Sequence, residues 1–454
     1  MKRLSIVALL LVVAALVAGP ARARKMTFVR DAEVEHTIRL YATPLFEAAG
    51  LNPQTIDIHL IKDDRLNAFV AKGLNLFIHT GLIIRTETPE QLMGVIAHEA
   101  GHIAGGHLAR LRRRMDEAST TAIASTILGA ATAVATGRPG AGVAVTAGGQ
   151  QVARRGLLRH TRGEEAAADQ AAVKYLDRVG RPAEGLLDFM RILEDQTILA
   201  PGSQSPYVRT HPLTRDRLAF LRRHVKTAHP DDPEDPAYEA DLARLHARMR
   251  GKLMGFLQPP GQVLDRFSGD DPGIMGRYAR IVAHFRRDDL DRALDGIDAL
   301  IAAHPEDPWF HELKGQMLFE TGNLERAAEA YARAAELAPR SGLLHLGLAR
   351  ALVEKGGDKR LDRAVTHLEA AIDHGERRNA FVWRQLAIAR GRLDRMGAAA
   401  RAMAEAALLR GDLGMAKRQV EKAARKTPES GPARQHLEDL RHRVKRARRE
   451  KDGG

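Results

Sequence analysis

Cysteine is absent from the 454 residues. That excludes disulfides and a lipid-anchored cysteine behind an export leader, so packing and bound metal must stabilise the chain. Aromatic side chains are scarce, at 4%. Acidic residues are outnumbered, with 70 Lys and Arg against 57 Asp and Glu, a net charge of +13. Such a surplus ordinarily suggests nucleic acid. Here few rings are available to stack on bases, and the amino terminus reads as an export leader, so no nucleic-acid partner is expected. Much of the excess lies in Arg110–Arg114 and Arg441–Arg449. Those runs suit anionic lipid, an acidic partner, or simply a solvated tail.

Charge is missing from residues 118–137 and again from 139–152. The stretch is built from small residues, and Ser119, Thr120, Thr121, Thr126 and Gly129 make it a weak membrane span beside a Leu-rich one. A mobile helical hairpin or lid is the preferred reading, with peripheral membrane contact through 118–152 as an option. A transmembrane hairpin and a buried core helix are the alternatives.

The chain opens with Lys2 and Arg3, an apolar segment from Ile6 to Ala18, and Gly19-Pro-Ala-Arg-Ala23. This is the order of a secretory signal peptide, and cleavage after residue 23 is expected. Losing Lys2, Arg3 and Arg22 would leave a net charge of +10, from 13 − 3. The remaining length is long for one hydrophobic core, and 44% apolar content is ample for globular domains.

The stretch with most chemical content is His98-Glu-Ala-Gly-His102. Imidazoles at i and i+4 share one helix face and can reach a single metal, and Glu99 is placed to take a proton from water there. Leu92, Val95 and Ile96 fall at helical spacing, with Pro89 near the start. Gly101, Gly105 and Gly106 end that helix or permit close approach of another segment. A catalytic zinc needs a third protein ligand. One candidate carboxylate is Glu165, four residues before Asp169, so that Glu165 binds metal while Asp169 accepts the outer N–H of a ligating histidine. Glu164 is the rival, pointing about 100° away on an ideal helix. His107 reads as a helix-end histidine. Upstream, Thr55–Ile61, Asn67–Val70 and Leu74–His79 read as strands.

These pieces, with His211-Pro-Leu-Thr-Arg-Asp-Arg217, Arg30-Asp-Ala-Glu33 and Arg248-Met-Arg-Gly-Lys-Leu253, resemble the M48 zinc metallopeptidases, specifically the periplasmic branch with tetratricopeptide repeats. The resemblance implies that His98, His102 and Glu165 hold one Zn2+ per chain and that Glu99 is the general base. It implies that His211 approaches the metal or the substrate oxyanion from the loop 200–211, where it can hold the resting enzyme closed, and that Arg217 partners Asp169 or an acidic loop. It also implies a small sheet whose edge beside the motif helix receives substrate as an added strand. Thr161 stands before Arg162 where family members often carry Ser, an exchange that keeps the hydroxyl.

Beyond about residue 274 the chain is almost continuously helix-compatible. Pro305 and Pro339 are 34 apart, as are Ala293 and Ala327, the tetratricopeptide period. Residues 308–340 give the clearest unit and 397–430 a second, with irregularity around Lys355-Gly-Gly-Asp-Lys359. The expected architecture is α+β and mostly helical, a zincin-like metalloprotease domain followed by an α-solenoid. Its expected organisation is a signal peptide (1–23), protease (24–262), repeats (263–430) and a basic C-terminal helix or tail (431–454). The corresponding function is a periplasmic zinc endopeptidase for misfolded or stalled envelope proteins in outer-membrane quality control, with the repeats giving a second grip on substrate or tethering it to outer-membrane assembly machinery. The alternative is a repeat-based chaperone or scaffold whose metal site is silent or structural.

Overall fold

The computed structural model describes residues 26–71, 74–136, 139–197, 204–227, 236–269, 273–428 and 430–452. The expected signal peptide, most of the acidic linker at 229–236 and the first part of the loop 200–211 lie outside these residues.

The first half runs β1 (Phe28–Val29), α1 (Ala32–Ala48), β2 (Asp57–Ile61), β3 (Ala68–Ala71), β4 (Asn75–His79), α2 (Thr80–Arg85) and α3 (Pro89–Ala104). It continues through α4 (His107–Thr136), α5 (Pro139–Arg178), α6 (Glu184–Thr197), α7 (Pro206–Thr210), α8 (Arg215–Thr227) and α9 (Pro236–Leu257). The sheet order is β1-β2-β4-β3, parallel only between β2 and β4. Alternation sends Leu60, Ala68, Leu76 and Ile78 inward to a core shared with Ile38, Val95 and Leu186. His59, Phe77 and Phe69 stack across the outer face, with ring centroids 4.8 and 5.0 Å apart. β3 is an edge strand and packs beside α3. β2 begins later than Thr55 because Asn52 caps a 3-10 turn at Pro53–Thr55, its side chain accepting from Gln54 N.

The uncharged region folds into two antiparallel helices, α4 and α5, packed on one another. Ile123, Ile127, Leu128, Val143 and Val152 are exposed along them. Among the described residues, no helix is long and apolar enough to cross a membrane.

The second half continues with α10 (Pro260–Arg266), α11 (Gly273–Phe285), α12 (Leu290–Ala303), α13 (Pro308–Glu320), α14 (Leu324–Leu337), α15 (Gly342–Lys355), α16 (Asp358–Asp373), α17 (Ala380–Arg392), α18 (Met396–Leu409), α19 (Leu413–Ala424) and α20 (Pro432–Asp452). Successive helices pack on one another, and each pair buries a face that it could not cover alone. Tyr331 shows why two glycines sit here: a Cβ on Gly315 would lie 2.9 Å from its ring and one on Gly347 2.5 Å. The irregular Lys355–Lys359 segment turns through Gly356 and Gly357 at φ of 72° and 85°, a conformation other residues rarely adopt. Residues 432–452 are helical, and Leu437, Leu440 and Val444 bury against Ala404 and Val420, each burial stabilising by about 1.5–3 kcal/mol.

An ionic cluster joins the two halves. Arg248 and Lys252 of α9 are both wholly buried. Lys252 Nζ lies 2.9 Å from Asp31 Oδ2, 3.4 Å from Glu33 Oε2 and 2.9 Å from Glu312 Oε2. Arg248 pairs with Glu33 at 2.7 Å and with Asp307, while its guanidinium covers the Phe310 ring at 4.1 Å. Tyr278 donates to Glu33 at 2.6 Å. Start, middle and repeat array therefore meet in one desolvated knot.

Candidate functional site

α3 is a well-specified helix. The Thr88 hydroxyl accepts from Gln91 N, the Gln91 side chain accepts from Glu87 N, and Pro89 occupies the first turn, where a missing N–H costs nothing. It ends at Gly105, after which Gly106 reverses the chain at φ 63°. Gly101 has the second expected use, since a Cβ there would lie 2.9 Å from the carbonyl oxygen of Ala168 on α5. This approach brings the α5 carboxylates to the α3 histidines.

The result is a compact donor cluster. One atom each from His98, His102, Glu165 and His211 lies within 4.8 Å of the others. His98 Nε2 is 3.1 Å from His102 Nε2 and 3.4 Å from Glu165 Oε2, and His102 Nε2 is 3.4 Å from Glu165 Oε1. His211 Nδ1 is 3.4 Å from His98 Nε2 and 3.1 Å from Glu165 Oε1. A tetrahedron with metal–ligand bonds of about 2 Å has edges of about 3.3 Å. The four donors thus fit one small cation, with His211 at the fourth corner.

The surroundings demand positive charge. Burial opposes a proton on His98, but Asp169 and Glu165 outweigh it and raise the imidazole to about 9. His102, buried beside that charge, is pushed down to about 3. Glu165 is driven well below the carboxylate range; burial opposes this, but His211 and hydrogen bonds from His102, His211 and His98 prevail. Without metal, a proton on His98 supplies charge that a divalent cation would replace, so metal affinity falls as pH falls.

Asp169 Oδ1 lies 2.9 Å from His98 Nδ1, and Arg217 grips Asp169 with two bonds of 2.6 and 2.8 Å while reaching Glu165 at 3.0 Å. Glu164 points elsewhere, accepting from Arg110 at 3.0 Å. His211 ends α7, whose first turn is capped by Ser205, and its backbone N–H donates to Tyr207 O at 2.7 Å. Glu99 is buried, neither carboxylate oxygen has a hydrogen-bond partner, and Oε1 is 3.5 Å from His211 Nε2. Burial raises its pKa, as a proton acceptor working near neutrality requires.

Two contributors were not legible as such. His107 Nδ1 contacts His102 Nδ1 at 2.8 Å, so the helix-end histidine orients a candidate ligand as Asp169 orients His98. Tyr207 stacks on the His211 ring at 4.5 Å with its hydroxyl buried and unpartnered. The HxxxH-plus-five spacing could have flagged His107; Tyr207 carried no such signal.

The carboxylate assignment is testable by metal retention. Glu165→Gln should lose most bound zinc on dialysis, whereas Glu164→Gln, at a carboxylate that points to Arg110, should keep it. Equal loss from both variants would overturn the assignment.

A metallopeptidase-type donor set on a helix beside an edge strand is the class that this fold and site define. Residues 29–225 match the model of Peptidase family M48, and residues 278–342 and 319–380 match a tetratricopeptide-repeat model. The chain carries an M48 peptidase domain followed by tetratricopeptide repeats. Over 305 residues it is 27% identical to the beta-barrel assembly-enhancing protease of Escherichia coli (strain K12), a match covering 65% of this chain and 60% of that protein. Its counterpart in Yersinia pestis is 28% identical over 266 residues, 56% of this chain and 52% of that one. A putative beta-barrel assembly-enhancing protease of Vibrio cholerae is 26% identical over 260 residues, with coverages of 55% and 51%. The chain spans about half to three-fifths of the length of these curated relatives.

Proposed function

We propose that this protein is a zinc-dependent endopeptidase of the bacterial envelope, acting on misfolded or stalled proteins during outer-membrane protein assembly. The observation that carries the chemistry is an unpartnered, buried Glu99 beside four donors at tetrahedral spacing. Zinc held by His98, His102 and Glu165 would supply Lewis acidity to a peptide carbonyl and to the attacking water. Glu99 takes the proton of that water and returns it to the departing amine. Asp169, with Arg217 behind it, and His107 hold the ring orientations. β3 offers backbone N–H and C=O groups to an extended peptide, which recognises chain conformation more than side-chain sequence.

His211 closes the fourth corner at rest and must withdraw for turnover, so the resting enzyme is self-restrained; once displaced, the imidazole is positioned to donate to the oxyanion. The relatives' names support a role in outer-membrane assembly, with the repeats holding client chains or the assembly machinery and so raising their local concentration. The exposed Ile123, Ile127 and Leu128 on α4 suit peripheral membrane contact through 118–152. The leader directs the chain to the periplasm.

Removal and return of metal test the reading. Chelation should abolish cleavage of casein or an unfolded outer-membrane protein, and stoichiometric zinc should restore it. His211→Ala in the same assay should retain zinc. Cleavage that survives complete demetallation would defeat the proposal, and loss of zinc from folded His211→Ala would make His211 a permanent ligand.

A further inference from the structure

The outer side of the sheet holds a polar feature that the metal centre does not use. A pocket of about 490 Å³ opens between the Ile61–Asn67 connection, the start of β3, and α7. Its wall includes Lys62, Asp63, Arg65, Phe69, His79 and Arg209.

His79 and Asn67 line it and are only 5% and 6% exposed. The Asn67 side chain hydrogen-bonds His79 Nε2 at 3.3 Å, and the remaining Asn67 Oδ1 and His79 Nδ1 are buried. Burial lowers the pKa of this imidazole, while the Asp63 carboxylate and the Arg65 backbone oppose the shift. Nδ1 has no hydrogen-bond partner. Asp63 Oδ1 stands 3.8 Å away, beyond hydrogen-bond reach, and its carboxylate is engaged by Arg65 through bonds of 2.9 and 2.6 Å. A desolvated polar atom whose hydrogen bonding is incomplete is costly unless a ligand completes it.

The rim carries Lys62, Arg65 and Arg209 against Asp63 alone, and Lys62 and Arg209 are exposed. The Phe69 ring, 6.2 Å from His79, gives an apolar wall. Two uncommitted cations, an aromatic surface and a buried His79–Asn67 pair between them together match a carboxylate carried on a carbon chain. Position matters too. Phe69 belongs to the edge strand, and α7, which supplies Pro206 and Arg209, ends at His211. Tyr207 N donates to Leu66 O at 3.3 Å, tying α7 to the approach to β3.

We propose that this pocket is a substrate subsite that takes a carboxylate of the extended peptide, from an acidic side chain or from a free chain end. The proposal rests on the reading of β3 as the peptide-binding edge. The zinc-loaded Glu99→Gln protein, which binds without cleaving, is titrated by fluorescence anisotropy with four short extended peptides. One is capped and contains Glu, one is its capped Gln counterpart, one is neutral with a free carboxyl end, and one is the same with an amide end. A carboxylate peptide should bind roughly tenfold tighter than its neutral counterpart. Which pair shows the difference identifies the source of the carboxylate. The preference should vanish in Lys62→Ala/Arg209→Ala, whose exposed positions leave the fold intact, and shrink in His79→Phe. Equal binding of all four peptides, or a preference that survives the double substitution, would overturn the subsite. If the preference appears as stated while neither zinc-loaded wild type nor zinc-loaded His211→Ala cleaves unfolded protein, the endopeptidase reading fails and the subsite stands.

Discussion

Glu99→Gln should lower proteolysis by about 10²–10⁴ while leaving zinc content, melting temperature and peptide binding unchanged. The amide occupies the same volume and faces the same donors but cannot accept a proton. Because neither Glu99 oxygen makes a hydrogen bond within the protein, the exchange breaks none and alters only the 3.5 Å approach of His211 Nε2. Appreciable turnover by the metal-loaded variant would remove Glu99 from the role of base. The same variant separates the enzyme from a repeat-based scaffold in cells: full support of envelope integrity by Glu99→Gln would favour the scaffold.

Lys252→Met should destabilise the protein by about 3–5 kcal/mol, because it strips the shared cation from Asp31, Glu33 and Glu312 in a desolvated site. Methionine keeps most of the stem, so the loss reports charge more than volume. Urea unfolding of the variant measures it, and a cost below about 1 kcal/mol would show that solvent reaches the knot. A pH signature accompanies it. Burial pushes Glu312 up to about 7, with Lys252 opposing and Asp31 adding to the shift. A carboxyl raised in the folded state contributes fully below its ordinary range, and that contribution is lost as pH rises through about 7. Stability should therefore decline across that interval, and Glu312→Gln should flatten the decline.

The candidate donor cluster was legible because its parts are local. His98 and His102 share a turn, as do Glu165 and Asp169, and each pair declares its geometry by spacing alone. The contact between the pairs was foreshadowed only by Gly101, a small residue whose purpose needs a neighbour to be seen. Placement of His211 and Arg217 came from resemblance, since nothing in a turn-rich loop says where it lands. β1 escaped notice because Phe28–Val29 is too short for alternation to register. Arg248 and Lys252 entered only as part of the family-like stretch Arg248–Leu253, with no sign that they are buried. They lie four residues apart on a helix of mixed polarity, and only the acids at the start of α1 and in the repeats, more than 50 residues away on either side, pair with them in the interior. The repeat period survived because stacking fixes the same small and bulky positions in each unit, and it blurred where Gly356 and Gly357 made the turn instead.

The helix α5 is 40 residues long, roughly 60 Å. Glu165 lies about 40 Å from its beginning and only about 5 Å from Ala168, where α3 touches it through Gly101. A bar with one arm roughly ten times the other behaves as a reduction gear. If the hairpin tilts about that contact, an excursion of several ångströms at its far end reaches the glutamate as a few tenths. Glu165 can thus sit on the same rod as the exposed Val143 and Val152 and still stay close to the α3 histidines.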